Sequence, residues 1–513
     1  MGVGPPAHTV HDDRGEKSVT AIDRKTFLKR GTASLAALTT MAGPFGGLVA
    51  RAANGPKTAF DNGGYGALEA VPELDSGEVL LHLPRGFQYR VLSRGQVLSG
   101  PNAHPGDMMA DGFNTPGRSD GMAAFSWRGR TRLVRNHEIT FDPGHFGPEE
   151  TAFDTRSGGG TTTLELTRDN RVAASWTSLN GTNFNCAGGP TPWGTWLSCE
   201  ETVNGPDANI NFLGQVMTLN EKHGYLFEVP AGQDLNGLRM GTPITSVGRF
   251  AHEAVAIDPA TGIVYQTEDD FAYWSGFYRY IPPNNPFRDK RIGDGGQLQV
   301  LGVVPSGASG PVVTNLSNDQ EVGVTHDVAW IDIEEPNPTY PTGIGNDPAS
   351  RVVYQEGESK GAAQFSRLEG IDHWGGRIYL ASTEGGGPFP GGNGSAGFGE
   401  GFGQVWVYDT RDETITLLFE SPGKDILDLP DNLTVSPRRK SVLLCEDSTG
   451  DNFLRGLTQE GQLFDFALNR WPGAFGDEFA GATFSPNTQT LFVNLQATGA
   501  TFAIWGPWER GLL

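Results

Sequence analysis

Apolar and polar residues alternate with a period of two through much of the chain, as in LHLPRGFQYRVLS (Leu81 to Ser93) and SDGMAAFSWRGRTRLVRNHE (Ser119 to Glu138). Such alternation predicts strands with one face buried, and Gly129 divides the second stretch into two. Residues 59–84 read as a lead-in segment. One unit recurs further on. EAVAIDPATGIVYQTE (Glu253 to Glu268), EGIDHWGGRIYLASTE (Glu369 to Glu384) and DNLTVSPRRKSVLLCE (Asp431 to Glu446) each join two apolar runs through a turn and place an acid fifteen residues after the first residue. NCAGGPTPWGTWLSCEE keeps the same offset from Cys186 to Glu201, and GATFSPNTQTLFVNLQ (Gly481 to Gln496) has the same shape but ends in an amide.

Two period-2 runs around a turn form a β-hairpin, and strands of equal length return their ends to one rim. Several such units arranged radially, with Asn136, His137 and Glu138 ending another strand, would line that rim with carboxylates. The fold class is therefore all-β: an irregular β-propeller of six blades with long inserted loops over 140–160, 204–214, 308–324 and 384–403. A large β-sandwich with acidic loop ends is the competing architecture. With 72 glycines and 34 prolines, the composition suits a body rich in turns and poorly suits a helical bundle. No linker divides residues 53–513, which read as a single propeller domain.

Charge narrows the function classes. Acidic residues outnumber basic ones by 60 to 38, a balance that disfavours nucleic acid and anionic bilayers as partners. No run approaches the ~18 apolar residues needed to span a membrane, so no stable insertion is expected. At the N-terminus DRKTFLK, followed by an Ala/Gly/Thr-rich stretch and Ala50-Arg51-Ala52, is similar to a twin-arginine export signal, with Lys25 in place of the second arginine. Residues 1–52 are assigned to that signal. It implies the twin-arginine export machinery as a partner and a periplasmic or extracellular location.

Carboxylates crowded at a rim repel one another unless cations share them. Calcium accepts irregular sets of oxygen ligands, and Glu138, Glu201, Glu253, Glu268, Glu369, Glu384 and Glu446 are the candidates, with Asp269, Asp270, Asp447 and Asp451 nearby. A thiolate from Cys186 suits a softer transition metal such as iron. Cys199 and Cys445 lie in apolar runs and read as core residues, although a Cys186 to Cys199 disulfide is also open. Arg367 stands two residues before Glu369, so both side chains project from one side of an extended strand, and its fork matches a phosphoryl oxygen pair. No G-x-S-x-G elbow is present.

Taken together, SDGMAAF, RNHE, NCAGGPTPWGTWLSCEE, GRFAHEAVAIDP, YQTEDD, RLEG, PDNLTVSP, CEDSTGDN and EFAGATFSPNTQTLFVNLQ resemble the PhoX family of alkaline phosphatases. The resemblance implies a propeller holding iron and calcium that hydrolyses small phosphomonoesters, with a metal-bound oxygen rather than a serine as nucleophile. It makes Cys186 an iron ligand, Glu201 and one of Glu253 or Glu268 further metal ligands, Arg367 the phosphate-binding residue and Glu369 a calcium ligand. Two other classes stand beside it: a calcium-dependent propeller hydrolase of lactonase or phytase-like type, and a nonenzymatic calcium-binding exported propeller.

Overall fold

Strands form where the alternation predicts them. Thr414–Glu420, for example, alternates half-buried with buried residues along its length. The computed structural model describes residues 61–140, 144–212, 215–341, 343–387 and 399–513. The expected export signal over 1–52 and residues 388–398 of the glycine-rich stretch lie outside them. The lead-in segment contributes two strands of its own, Leu68–Pro72 and Val79–Pro84. The stretch 204–214 carries a strand at Ala208–Phe212 where a loop was expected. A helix at Asn346–Glu358 was not legible as such.

Fourteen strands position the site. They are β1 (Gln88–Arg94), β2 (Ser119–Trp127), β3 (Arg130–His137), β4 (Asn185–Pro190), β5 (Thr195–Glu200), β6 (His252–Ile257) and β7 (Val264–Glu268), then β8 (Leu368–Trp374), β9 (Arg377–Ser382), β10 (Pro430–Val435), β11 (Val442–Glu446), β12 (Phe479–Phe484), β13 (Thr490–Leu495) and β14 (Ala500–Trp505). Six antiparallel hairpins result: β2 with β3, β4 with β5, β6 with β7, β8 with β9, β10 with β11 and β12 with β13. The first strand of each is an inner strand. Each inner strand packs against the inner strand of the next hairpin, and β12 packs against β2, which closes a ring.

A cavity of about 70 Å³ is lined by residues of all six inner strands, among them Gly121, Ala187, Ala254, Gly370, Asn432 and Ala482. Glycines stand at two of the close approaches. A Cβ on Gly121 would lie 2.5 Å from Ala187 Cα, and one on Gly370 would lie 2.5 Å from the Asp431 carbonyl. Both faces of an inner strand are covered, so β6 is buried along its whole length and the polar alternation fails there. The fold is thus an irregular propeller whose ring is regular and whose outer sheets are not. The sheets of β6 and β8, for instance, merge into one of nine strands.

The cores lie between neighbouring sheets. Tyr265, Phe277, Leu368, Trp406 and Tyr408 form part of one, each large side chain worth about 1.5–3 kcal/mol when removed from water. Cys445 sits in another core, Cys199 in a third.

Candidate metal centre

Every inner hairpin carries a register break at the same end. The ladder pairs Ser119 with His137, Asn185 with Glu200, His252 with Glu268, Leu368 with Ser382 and Pro430 with Glu446, then slips over the next residues of the inner strand. The sixth hairpin slips after Ala480. A bulge re-aims the side chains it displaces. The first residue past each pair is Asp120, Cys186, Glu253, Glu369 and Asp431 in turn, and the sixth hairpin offers Gly481. Successive strand residues point to opposite faces. The residue that follows each second strand, Glu138, Glu201, Asp269, Thr383 or Asp447, therefore joins the displaced residue on its side.

Three ligand groupings result. Glu138, Cys186 and Glu201 form the first, Glu253, Glu369 and Asp431 the second, and Asp431, Asp447 and Glu478 the third; within each, one ligand atom per residue lies within 4.8 Å of the others. Eight side chains from five inner hairpins and the segment before β12 thus converge. Gln496, at the end of β13, donates to Glu138 Oε2 at 2.6 Å and to Asp120 Oδ2 at 2.8 Å. The expected acids Glu268 and Glu446 are not brought into these groupings. Glu268 accepts from Gly276 N and the Tyr278 hydroxyl, both at 2.8 Å. Glu446 accepts from Arg455 Nε at 2.6 Å and from the amides of Asp428 and Phe453. They occupy the ladder position that Glu200 holds in the Cys186 hairpin, so their carboxylates point between the sheets and pin neighbouring chain.

The electrostatics of the groupings fit cations. Glu253 is fully buried and its Oε2 meets no hydrogen-bond partner. Burial, then Glu369, Asp120 and Asp269, push its carboxyl well above the usual range. Burial, then Glu369, Glu253 and Glu478, do the same to Asp431. Cys186 is a free thiol. Burial first, then Asp120, Glu253, Glu201 and Glu138, hold its pKa far above the usual thiol value. A thiol and several carboxylates in such contact ionise together only when positive charge is supplied. The donor sets suit a hard cation at the all-oxygen groupings and a softer one beside the sulfur.

Arg367 supplies one fixed positive charge. It is the last residue before β8 and adopts a left-handed backbone, φ 50°. Its Nε and Nη2 donate to the two Asp269 carboxylate oxygens at 3.0 and 2.7 Å, and Nη2 also lies 2.6 Å from Glu369 Oε1. Glu384 is 3.6 Å from Nη1, so this expected metal ligand faces the arginine. Burial alone would lower the guanidinium's pKa, but Asp269, Glu369 and Glu384 outweigh it and hold the charge firmly.

Sequence reasoning missed Asp120, Asp431 and Glu478 as candidate ligands. The signal existed: Asp120 and Asp431 occupy the hairpin position of Glu253.

A family model described as alkaline phosphatase PhoX matches residues 63–499. The chain belongs to that family. The PhoX family is metal-dependent, in keeping with the groupings at the rim. A structure of Pseudomonas fluorescens PhoX in complex with vanadate, a transition state analogue, is similar in fold, with a TM-score of 0.57 and 17% identity over 87% of this chain and 99% of that one. A gluconolactonase from Xanthomonas campestris is more distant, with a TM-score of 0.39 and 13% identity over 86% of this chain and 98% of that one. No curated protein matches the chain in sequence.

Proposed function

We propose that this PhoX-family chain hydrolyses small phosphomonoesters at the bulged rim of the ring, with iron held by Glu138, Cys186 and Glu201 and calcium held by Glu253, Glu369, Asp431, Asp447 and Glu478. The observation that carries this reading is the contact of Arg367 with Glu369 at 2.6 Å, which sets an anion-binding fork against a cation-binding cluster. Bound cations supply Lewis-acid polarisation of the phosphoryl group and neutralise its developing charge.

The chain's own residues do the rest. Arg367 presents a planar fork to the nonbridging oxygens, and Asp269 fixes its plane through two hydrogen bonds. Glu369 is shared between the arginine and the second grouping. With its carboxylate engaged by a cation, Glu369 would hold Nη2 less tightly and leave that donor for substrate. Asn432 bridges Glu253 Oε1 and Asp431 Oδ1 at 3.4 and 2.8 Å and keeps the two acids at a fixed spacing. Gln496 performs the same service for Asp120 and Glu138.

Export before use, into the periplasm or beyond, is part of this proposal and rests on the DRKTFLK segment. Elemental analysis of protein recovered from its own export route, with aryl phosphate hydrolysis before and after calcium chelation, tests the reading. Iron with calcium-dependent turnover is the expected result. Metal-replete protein that leaves every phosphomonoester intact would overturn it.

A further inference from the structure

Four inner strands are preceded by a non-glycine residue in the left-handed region: Arg118 before β2 (φ 46°), Phe184 before β4 (φ 52°), Arg367 before β8 (φ 50°) and Leu429 before β10 (φ 52°). This conformation costs a non-glycine residue of order 1 kcal/mol. Because it recurs with four different neighbourhoods, it is a device by which the chain turns onto the ring. The fold sets the backbone there and leaves the side chain open to choice. Two of the four are apolar and two are arginine.

The two arginines occupy matching places. Each stands two residues before a displaced rim acid, Asp120 or Glu369, and each leans on a different ligand grouping. Arg118 Nη1 lies 3.1 Å from Glu138 Oε2 and 2.9 Å from Gln496 Oε1, whereas Arg367 touches Glu369. In the ring of inner strands β2 and β8 are three places apart in either direction. The arginines therefore approach the rim from opposite sides.

Their surroundings differ in a telling way. The Arg367 side chain is 6% exposed and held by carboxylates, whereas that of Arg118 is 51% exposed. Arg118 makes its hydrogen bonds through Nη1 alone, so its Nε and Nη2 donors have no protein partner among the described residues. An arginine has five N–H donors, and here several face solvent at the edge of a strongly acidic rim. Such a rim repels further negative charge on an arriving ester, and Arg118 counters that repulsion on its side of the ring.

We infer that Arg118 is a specificity-determining residue that binds a second anionic group, a carboxylate or further phosphate carried on the leaving-group side of the ester, while Arg367 holds the scissile phosphoryl group. The inference rests on the phosphatase reading for the role of Arg367. Arg118 itself contributes through binding, and that makes the two separable.

The test uses the metal-replete full chain and two inert ligands, propylphosphonate and 3-phosphonopropionate, which differ by one carboxylate. Calorimetry gives the ratio of their affinities. Wild type should prefer 3-phosphonopropionate by about tenfold, the value of one charge-assisted hydrogen bond. Arg118→Ala should bring the ratio close to one, and Arg118→Lys should restore part of it, with iron and calcium content equal in all three. A ratio that survives in Arg118→Ala, or a wild-type ratio of one, would overturn the assignment. So would loss of metal from Arg118→Ala together with the preference, since Arg118 would then only prop Glu138. Aryl phosphate turnover is measured alongside. Its absence in the presence of an Arg118-dependent ratio would remove the phosphatase reading and leave the second anion site standing.

Discussion

His223 Nδ1 lies 2.6 Å from Glu200 Oε1, with Nε2 3.7 Å from Asp154 Oδ2, and all three side chains are sealed from solvent. Burial alone would lower the imidazole's pKa, but Glu200 and Asp154 outweigh it and raise His223 to about 9. The protonated ring therefore stabilises the fold fully below its ordinary pKa of 6.5, and that contribution is lost as pH rises through 9. It amounts to roughly 3 kcal/mol. Denaturant unfolding of the chelated protein should show stability falling from pH 6.5 to 9, and His223→Gln should flatten that slope while lowering stability at pH 6. An unchanged slope in the variant would place the pH dependence elsewhere.

Glu253→Gln should move the apo and metal-loaded proteins in opposite directions. Without cations, burial and Glu369 keep the carboxyls of Glu253 and Asp431 partly protonated or set them repelling, and an amide at 253 relieves this. Because the native pKa values of Glu253 and Asp431 are raised, the destabilising effect of these two carboxyls grows as pH climbs above the ordinary carboxylate range. At pH 8 the chelated variant should melt a few degrees above chelated wild type. The loaded variant should bind less calcium and lose that advantage. A fall in Tm in both states would mean that Glu253 acts as a hydrogen-bond acceptor for Asn432 and little else.

Arg367→Ala should lower kcat/KM on an aryl phosphate by roughly 10²–10³-fold, the usual effect of removing one oxyanion donor, with iron and calcium retained. Lysine should recover only a small part, because a point charge cannot reproduce the two-pronged contact that Asp269 now receives. Metal loss in the alanine variant would instead make Arg367 a support for Glu369.

Glu446 and Asp447 are neighbours with different tasks. Burial carries Glu446 up to about 7 against the pull of Arg455, and Glu446→Gln weakens the hold on that buried arginine, so the fold should lose up to about 3 kcal/mol with metal content unchanged. Asp447→Asn should chiefly reduce calcium binding. Elemental analysis beside urea denaturation separates the two. Equal metal loss in both variants would return Glu446 to the ligands.

The hairpins, the shared rim and the family were legible because strand alternation, turn residues and short motifs are local signals. The exact ligands were less so. The fifteen-residue offset falls on true rim residues only for Cys186 and Glu201. From Glu253 to Asp269 and from Asp431 to Asp447 the spacing is one residue longer, because these hairpins pair His252 with Glu268 and Pro430 with Glu446, one residue further apart than Asn185 and Glu200. A strand turns its side chains over with every residue, so an error of one exchanges a rim carboxylate for a buried pin. Arg118 went unnoticed for another reason. Its likeness to Arg367 lies in a backbone angle and a place in the ring, neither of which is a sequence spacing.

The pairing of β1 with β14, which sets Arg90 opposite Ala503, ties the assembly of the metal centre to the timetable of folding. The sheet that holds β12, and with it the neighbour of Glu478 and Gln496, is fastened by a strand from the other end of the described chain. Such contacts form late, since the long loop they close must first be brought together. Until that happens Glu478 and Gln496 are not seated at the rim, and a cation meets an incomplete set of ligands. Loading of metal is thus expected to report completion of the ring, arriving as the last cooperative event rather than as a template for the first.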